Sequence, residues 1–369
     1  MRVPIVMHTI FMQQALVLAE KARFQAPPNP WVGCVIVKDQ QIIGQGYTSL
    51  PGQAHAEVKA LHEAGEKAQD AALYVTLEPC SHFGRTPPCV EAIIRAGIKQ
   101  VYIAQEDPDP RVQGKGIQRL QEAGIQVFTG LCEEEARLSL TPYLYQRRTR
   151  LPYTVIKIAA SADGRTAAAD GTSQWITSPE ARLDGHFQRA QSQAIIVGAG
   201  TALIDTPNLT VRHPLVHLPQ QPLRVILDGN GRVPAEGPLF DLSLAQTLVL
   251  TSHSSSIRQK EWENRGAEVV LISADRDGRL DLKDAWNLLG SRGILQVLIE
   301  GGSTLQTNLF KTQLVNRLSL YLGALLLGSQ GLPLFSEKIA TLKQAYPLSL
   351  KSIKQLGDSV RIDYDTLHQ

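Results

Sequence analysis

Three possible zinc ligands in the first quarter of this 369-residue chain constrain its fold more than any other feature. They are His55, Cys80 and Cys89, and Glu57 stands two residues after the histidine. A catalytic zinc ion takes three protein ligands of these types and keeps an open position for water, with a carboxylate nearby to move protons. The three segments must therefore meet at one point. We expect one zinc ion per chain, held by these three residues, with Glu57 as the catalytic proton carrier.

A closed, structural zinc site with four protein ligands is the alternative. Cys34 is not expected to be the fourth ligand, because the apolar run from Val32 to Val37 predicts a buried strand. His62 and His82 are the remaining possible ligands in this part of the chain. The residue types alone leave the open and the closed site as alternatives.

The charge balance argues against a nucleic-acid partner. The chain has 37 Lys and Arg residues against 35 Asp and Glu residues, so it lacks the broad basic field that is typical of nucleic-acid binders.

No apolar run approaches the roughly 18 residues that span a membrane. Four cysteines, two of them assigned to zinc, fit the reducing cytosol better than a disulfide framework. We expect a cytoplasmic homo-oligomer that contacts neither nucleic acid nor a membrane.

The length of the chain predicts two domains, because single hydrophobic cores usually stop growing below this size. A charged helix predicted from Glu133 to Arg148 ends in a basic cluster just before Leu151 and Pro152. We place the domain boundary there, which gives domains 1–148 and 149–369.

Alternating helical and strand patterns fill the first domain and predict an α/β fold. The predicted helices are Thr9–Ala22, Ala54–Ala64, Val90–Ala96 and Gly116–Ala123, and the predicted strands are Gly33–Lys38, Gln41–Gly44, Leu73–Leu77, Gln100–Ala104 and Ile125–Phe128. His55 and Glu57 then fall in the first turn of a helix. Cys80 follows a strand, and Cys89 opens the next helix.

Two glycine-containing turns follow predicted strands in the second domain. The predicted strands are Tyr153–Ala160, Ala194–Val197 and Gln296–Ile299, with a helix at Pro179–Gln191. The turn Gly198–Leu203 lacks the third glycine of a Rossmann fingerprint and is a weak dinucleotide signal. The turn Glu300–Leu305 leads into a helix, where two glycines let a phosphate approach free backbone amides. An ordinary turn capped by Ser303 or Thr304 is the alternative.

The motifs of the first domain resemble a known enzyme family. They are Asn29-Pro30-x-Val32-Gly33, His55-Ala56-Glu57-Val58 and the stretch from Thr76 to Cys89. A His-x-Glu motif followed by Pro-Cys is the signature of zinc deaminases. The eight-residue gap between the two cysteines resembles the deaminase half of the bifunctional riboflavin-biosynthesis deaminase/reductase. The resemblance implies a cytidine-deaminase-like α/β/α fold for this domain, with substrate contacts from Asn29 and Arg85.

Four stretches of the second domain resemble the reductase half of the same family. They are Lys157–Thr166, Ser173–Ser178, Thr201–Arg212 and Glu300–Leu305. The resemblance implies a dihydrofolate-reductase-like α/β fold that uses NADPH. It implies NADPH contacts from Ala159, Trp175, Thr201, Asp205, Gly302, Ser303, Thr304 and Leu305. It implies substrate contacts from Ser173, Arg189, Leu209, Arg212 and Glu300.

Two positions depart from the family pattern. Family members commonly carry Asp-Asp-Pro where this chain has Asp205-Thr206-Pro207, and a serine at the position of Gly229. The resemblance still implies two consecutive reactions on a small phosphorylated pyrimidine, namely hydrolytic loss of an exocyclic amine and then reduction of the ribosyl group by NADPH. A nucleic-acid deaminase and a zinc-stabilised scaffold without turnover are the rival hypotheses. A chain in which only one half is active is a third.

Overall fold

The computed structural model describes residues 5–84, 86–252, 256–275 and 279–367. The chain forms two compact units, Met1–Arg150 and Leu151–Gln369, which we call unit 1 and unit 2. Within the described ranges, no helix has both the length and the apolar character needed to span a bilayer.

Unit 1 consists of a five-stranded sheet and six α-helices among its described residues, with a short 3-10 helix at Gly65–Ala68. The strands are β1 (Gly33–Lys38), β2 (Gln41–Tyr47), β3 (Ala72–Leu77), β4 (Gln100–Gln105) and β5 (Gln126–Thr129). The helices are α1 (Ile5–Ala22), α2 (Ala56–Ala64), α3 (Cys89–Arg95), α4 (Lys115–Glu122), α5 (Glu133–Ser139) and α6 (Thr141–Thr149). The strand order is β2-β1-β3-β4-β5, in which β1 runs antiparallel to both neighbours and the last three strands run parallel.

Two glycines let helices approach both faces of this sheet. A Cβ at Gly33 would lie 1.8 Å from the Ala15 carbonyl oxygen of α1. A Cβ at Gly46 would lie 2.2 Å from the Ala56 carbonyl oxygen of α2. Gly46 pairs with Cys34, the neighbour of Gly33, so the two glycines face opposite sides of the sheet. Helices therefore cover both faces, and the start of α2 lies directly on the sheet.

Most predicted elements of the first half are confirmed within a few residues, because their apolar spacing marks them clearly. One prediction is wrong. The single helix expected from Glu133 to Arg148 is two helices, α5 and α6, which meet at Leu140. Pro142 lies in the first turn of α6, where its missing N–H group is tolerated. Inside one continuous helix the same proline would remove a backbone hydrogen bond and clash with the preceding turn.

Unit 2 is built on a large mixed sheet. Its strands are β6 (Tyr153–Ser161), β7 (Arg165–Ala167), β8 (Ala194–Gly198), β9 (Leu223–Leu227), β10 (Thr247–Thr251), β11 (Glu268–Leu271), β12 (Gln296–Ile299), β13 (Arg317–Gly323), β14 (Leu332–Pro333), β15 (Leu348–Leu356) and β16 (Ser359–Thr366). Its helices are α7 (Pro179–Ala190), α8 (Ala199–Asp205), α9 (Ser256–Asn264), α10 (Leu282–Ser291) and α11 (Ser303–Lys311). The predicted strands that became β6, β8 and β12 are confirmed, as is helix α7.

The nine strands of the main sheet follow the order β11-β10-β9-β8-β12-β6-β13-β16-β15. The strands from β11 to β13 are parallel, whereas β16 and β15 complete the sheet in antiparallel pairs. The carboxyl ends of β9, β8, β12 and β6 therefore lie side by side at one edge, which is where open α/β sheets bind their ligands. β7 and β14 form a separate small sheet.

Apolar residues cover both faces of the parallel strands. Ile195 and Ile196 of β8 are both buried, and they belong to different core clusters on opposite faces. Each cluster contains one fully buried tryptophan, Trp262 or Trp286, whose indole N–H donates to an acceptor inside the unit. Strands buried on both faces are typical of α/β proteins, so the predicted α/β class is confirmed.

Candidate functional site

The three predicted zinc ligands meet in unit 1. His55 immediately precedes α2, with an extended backbone (φ −75°, ψ 167°) and no capping hydrogen bond from its side chain. Its ring is therefore available to the two sulfurs. Cys80 follows β3, and Cys89 is the first residue of α3.

The distances between the donor atoms fit one metal ion. The three atoms lie within 4.8 Å of one another. Nδ1 of His55 is 3.2 Å from Sγ of Cys89 and 3.6 Å from Sγ of Cys80. Tetrahedral zinc bonds of about 2.0 Å to nitrogen and 2.3 Å to sulfur would place such atoms about 3.5 Å apart. Thr86 Oγ1 lies 3.4 Å from the other ring nitrogen, Nε2.

The chemistry of the donor set also fits zinc. A hydrogen bond from Cys89 lowers the pKa of Cys80 to about 4, with a further contribution from His55 and against the effect of burial. The hydrogen bond with Cys80 and burial raise the pKa of Cys89. Two adjacent thiolates are unfavourable without a cation. A divalent ion would remove this conflict, and imidazole and thiolate groups are preferred zinc ligands.

Glu57 lies beside the ligands in the first turn of α2, and its side chain is buried. Burial raises the pKa of its carboxyl group, and the charge of His55 partly opposes that effect. A buried carboxyl group at this position can accept a proton in one step and donate it in the next.

The described residues offer no fourth side-chain ligand to this cluster. Cys34 is fully buried in β1, as the apolar run predicted. His62 is exposed on α2, and His82 lies outside the cluster in the loop between the two cysteines. This arrangement favours the open site over the closed one.

The two predicted substrate contacts of unit 1 remain predictions. Asn29 lies in the turn between α1 and β1, where its backbone N–H donates to the Ala26 carbonyl oxygen at 2.9 Å. Arg85 falls outside the described residues.

Glu78 is a buried carboxylate whose role the sequence pattern does not predict. It accepts four backbone hydrogen bonds, from Asp107 (3.3 Å), Gly114 (3.1 Å), Gly116 (3.0 Å) and Ile117 (3.3 Å). Since Glu78 stands two residues before Cys80, these bonds tie the cysteine to the start of α4. A Cβ at Gly116 would lie 2.3 Å from the Pro79 carbonyl oxygen, so this contact needs glycine. The only signal in the sequence was an acidic residue directly after a buried strand.

Unit 2 contains a cleft of about 1210 Å³ along the carboxyl ends of its parallel strands. Many of the predicted reductase residues line it together: Ala159, Ser173, Thr201, Asp205, Glu300, Gly302, Ser303, Thr304 and Leu305. Pockets for one drug-sized ligand usually measure about 300 to 1,000 Å³. The cleft therefore has room for a dinucleotide and a second ligand.

Glu300 and Arg189 form a bidentate ion pair at this cleft. Arg189 Nε donates to Glu300 Oε1 at 2.6 Å, and Nη2 donates to Oε2 at 2.8 Å. A third bond runs from Nη1 to the Thr210 carbonyl oxygen at 2.9 Å. Burial raises the pKa of Glu300, but the charge and hydrogen bonds of Arg189 outweigh it and hold the pKa at about 2. The pair therefore stays ionised at neutral pH.

Lys157 and His186 extend this charged group, although the sequence pattern predicts no role for them. Lys157 lines the cleft, and its charge contributes to the low pKa of Glu300. Nδ1 of His186 accepts the backbone N–H of Arg212 at 3.2 Å. Burial and the charges of Arg189 and Arg212 lower the pKa of His186 to about 4. The sequence does place His186 three residues before Arg189 on α7, and residues at this spacing lie on the same face of a helix.

Four predicted contacts do not line the cleft in the described part of unit 2, namely Arg189, which reaches it only through its pair with Glu300, and Trp175, Leu209 and Arg212. Trp175 is 65% exposed and stacks 4.5 Å from the Arg182 guanidinium group, although its neighbours Ser173 and Ile176 line the cleft. Leu209 is buried in the core, and Arg212 is exposed. Their roles toward ligands remain predictions.

The turn before α11 has the form expected of a phosphate-binding turn. Gly302 is the N-cap residue, and no side chain caps the helix, so the alternative cap by Ser303 or Thr304 is absent from this described segment. The Gly302 N–H donates to Thr201 Oγ1 at 3.1 Å. The remaining amides of the first turn suit the diphosphate of a dinucleotide.

Two family models match the chain, one in each unit. The model of the cytidine and deoxycytidylate deaminase zinc-binding region matches residues 6–105. The model of the RibD C-terminal domain matches residues 152–362.

Relatives and solved structures match over nearly the whole chain. The riboflavin biosynthesis protein RibD of Chlamydia pneumoniae is 46% identical over 96% of this chain and 94% of its own length. The structure of Acinetobacter baumannii RibD, form 1, has a TM-score of 0.91 at 38% identity and covers 99% of this chain and 100% of its own. A diaminohydroxyphosphoribosylaminopyrimidine deaminase/5-amino-6-(5-phosphoribosylamino)uracil reductase from Thermotoga maritima has a TM-score of 0.88 at 31% identity, covering 98% of this chain and 99% of its own.

A zinc-binding deaminase unit followed by a reductase unit defines a bifunctional enzyme. The chain belongs to the RibD family of riboflavin-biosynthesis proteins, which combine a deaminase and a reductase. Its cofactors are zinc and NADPH.

Proposed function

We propose that the chain catalyses two consecutive steps of riboflavin biosynthesis on one small phosphorylated pyrimidine. Unit 1 removes the exocyclic amine from a diaminopyrimidinone that carries a phosphoribosylamino group, taking up water and releasing ammonia. Unit 2 then reduces the ribosyl group to a ribityl chain. The activity in the name of the Thermotoga maritima relative supports both steps. The observation that carries the proposal is the convergence of His55, Cys80 and Cys89 beside the buried Glu57.

The residues of unit 1 supply binding and proton transfer. His55, Cys80 and Cys89 hold the zinc ion, which when bound supplies Lewis acidity. The carboxyl group of Glu57 takes one proton from the attacking water and delivers it to the ring nitrogen, and it then takes the second proton of the same water and delivers it to the departing amine, which leaves as ammonia. One group can serve in both directions because the proton that it accepts as a base is the proton that it donates as an acid.

The residues of unit 2 bind and orient two ligands. NADPH, when bound, supplies the reducing equivalent. The backbone amides that follow Gly302 bind its diphosphate, and the ionised Glu300 accepts hydrogen bonds from substrate hydroxyl groups. Arg189 already uses three of its five N–H groups on Glu300 and Thr210. Two N–H groups remain for the substrate phosphate, which Arg212 shares.

The test is to incubate the zinc-loaded protein with the diaminopyrimidinone phosphate, with and without NADPH, and to identify both products by mass. We expect exchange of an amine for oxygen without NADPH, and a further gain of two hydrogens with it. Glu57→Gln should keep its zinc and lose about a thousandfold in deamination rate. Deamination by zinc-loaded Glu57→Gln at the unaltered rate would remove Glu57 from its role.

Two controls separate the halves of this proposal. The deaminated intermediate, supplied to Glu57→Gln, should restore NADPH oxidation, because unit 2 does not use the zinc site. Equal NADPH oxidation on the undeaminated substrate would contradict the order of the two steps. Removal of zinc by a chelator should abolish only the first step.

We further propose that the chain acts as a cytoplasmic homo-oligomer. Apolar side chains are exposed on α1, at Val6 and Val17, and on the edge strand β15, at Leu350 and Ile353. Such exposure supports contacts between copies. The described cysteines are free thiols, which fits a reducing compartment. Light scattering at several concentrations tests the oligomer, and a monomeric mass throughout would contradict it.

A further inference from the structure

We propose that Arg232, Lys283 and Arg279 recognise the 2′-phosphate of NADPH and thereby set the preference for NADPH over NADH. The inference rests on the proposed NADPH site in the cleft of unit 2. It concerns the end of the cleft that lies away from the substrate residues.

The strand order shows which end of the cleft takes the adenosine. Glu300 follows β12, and its partner Arg189 lies on α7, which packs against β15 and β16 on one side of that strand. The end of β9 lies on the other side, two strands away in the order β9-β8-β12. That separation is about 10 Å, since neighbouring strands lie about 4.8 Å apart. A dinucleotide with its nicotinamide at Glu300 and its diphosphate at the α11 turn therefore extends toward β9.

Three basic residues line this far end of the cleft. Arg232 belongs to the turn that follows β9, whereas Arg279 and Lys283 flank the start of α10. The two segments are in contact, because an ideal Cβ at Gly229 would lie 3.2 Å from Leu280 Cγ. The basic side chains therefore come from two segments that meet at the same end of the cleft.

Gly229 stands where the family commonly has a serine. Gly229 offers no hydroxyl group, and Leu280 occupies the space beside it. Recognition of a phosphate here must come from neighbouring residues. The basic residues on either side of the Gly229–Leu280 contact are the available donors.

In the described part of the cleft, the acidic side chains at this end do not pair with its basic side chains. They bind backbone N–H groups: Asp228 that of Val233 (2.7 Å), Asp281 that of Lys283 (2.8 Å), and Asp275 that of Arg279 (2.9 Å). By contrast, the side chains of Arg232, Arg279 and Lys283 are exposed and make no hydrogen bond or ion pair with any residue that the structure describes. Three basic side chains without a partner in the described protein can donate charge-assisted hydrogen bonds to a dianionic phosphate.

The turn that carries Arg232 is held in place from β10. Thr251 Oγ1 donates to the Asp228 carbonyl oxygen at 2.6 Å, and Ser252 Oγ donates to the Gly229 carbonyl oxygen at 2.5 Å. Together with the hydrogen bond that the Val233 N–H donates to Asp228 Oδ2, these contacts fix the backbone on both sides of the turn. A fixed backbone lowers the entropy cost of presenting Arg232 to a ligand.

The test compares NADPH with NADH as reductants of the deaminated intermediate. Arg232→Gln and Lys283→Gln should each raise the KM for NADPH about tenfold, the scale of one charge-assisted contact, and leave the KM for NADH unchanged. With the unaltered protein, adenosine 2′,5′-bisphosphate should compete with NADPH better than 5′-AMP does. The double variant Arg232→Gln/Lys283→Gln should lose that difference. Arg232→Lys should recover part of it.

Lys311→Gln is the matched control. Lys311 also lines the cleft, but it is engaged in an ion pair with Glu337 at 3.1 Å. We expect the ratio of its KM for NADPH to its KM for NADH to match that of the unaltered protein. An equal rise in both KM values in the Arg232 and Lys283 variants, or no rise in either, would overturn the proposal. If the unaltered protein oxidised neither reductant, the proposed reductase function would fail instead.

Discussion

The two sites of the molecule are assembled from different kinds of groups. In unit 1, three side-chain atoms from three segments between residues 55 and 89 gather within 4.8 Å. In unit 2, the cleft is formed largely by turns at the ends of neighbouring parallel strands, and a buried ion pair stands at one end. The first site depends on a few atoms, each placed by its own segment. The second is shaped by the sheet. We therefore expect substitutions there to act through the charge of the cleft and the stability of unit 2.

The ion pair of unit 2 offers the largest test of this difference. Both partners are mostly buried, with side chains 15% and 11% exposed. Arg189→Met removes the hydrogen-bonded partner of the buried Glu300 carboxylate and leaves only the charge of Lys157 to oppose it, and breaking such a buried pair typically costs about 3 to 5 kcal/mol. We expect the free energy of unfolding of unit 2, measured by hydrogen exchange, to fall by that amount. Unit 1 should continue to deaminate.

Arg292→Met is the control for this prediction. Its pair with Glu268 lies near the surface, with side chains 29% and 54% exposed. Exposed pairs contribute less than about 1 kcal/mol. Equal losses in the two variants would show that burial does not distinguish the pairs.

A smaller effect is expected at Glu78, where unit 1 relies on one carboxylate to place Cys80. In Glu78→Gln, a side-chain N–H group would face backbone N–H groups that have lost their acceptor, at a cost of about 1 to 3 kcal/mol. We expect the zinc affinity to fall about tenfold, measured by competition with a chelator. The visible spectrum of the cobalt-substituted protein should shift as well, because it reports the geometry of the thiolate ligands.

Glu91→Gln is the matched control on the neighbouring segment. Glu91 stands two residues after Cys89 and pairs with Arg119 at a partly exposed site. It should leave zinc affinity and spectrum unchanged. Unchanged zinc affinity in Glu78→Gln would show that the four backbone bonds do not position the cysteine.

The smallest predicted effect is an opposite response of the two units to mild acid. Burial raises the pKa of Asp107 to about 6, above its ordinary 3.8, so the folded form of unit 1 takes up this proton first as the pH falls. Between about pH 7 and 5 this group should stabilise unit 1 by about 1 kcal/mol. The pKa of His186 is lowered from 6.5 to about 4, so the unfolded form takes up its proton first and unit 2 loses stability over the same range.

Hydrogen exchange followed separately in each unit at the two pH values measures both responses. Asp107→Asn should flatten the response of unit 1, and His186→Gln should flatten that of unit 2. A change of the same sign in both units, removed by neither variant, would assign the pH response to other groups.

The comparison also explains what the sequence could predict. His55, Cys80 and Cys89 could be found because few other patterns place these residue types beside a glutamate. Glu78 and His186 were missed because their roles depend on contacts with chain segments far away in the sequence, such as the backbone of Gly114 or the charge of Arg212. The break between α5 and α6 was missed although Pro142 was a visible signal, since the charged residues on both sides continue the helical pattern.

Gly46 limits which residues this chain can carry at the contact between β2 and α2. Its missing side chain lets α2 sit on β2, and α2 begins directly after His55 and carries Glu57. Even a methyl group there would push α2 away from the sheet. Strand β3 of the same sheet leads to Cys80, so His55 and Glu57 would move relative to that cysteine. A side chain at position 46 would therefore disturb deamination through the position of α2, although Gly46 itself is neither a ligand nor a catalytic residue.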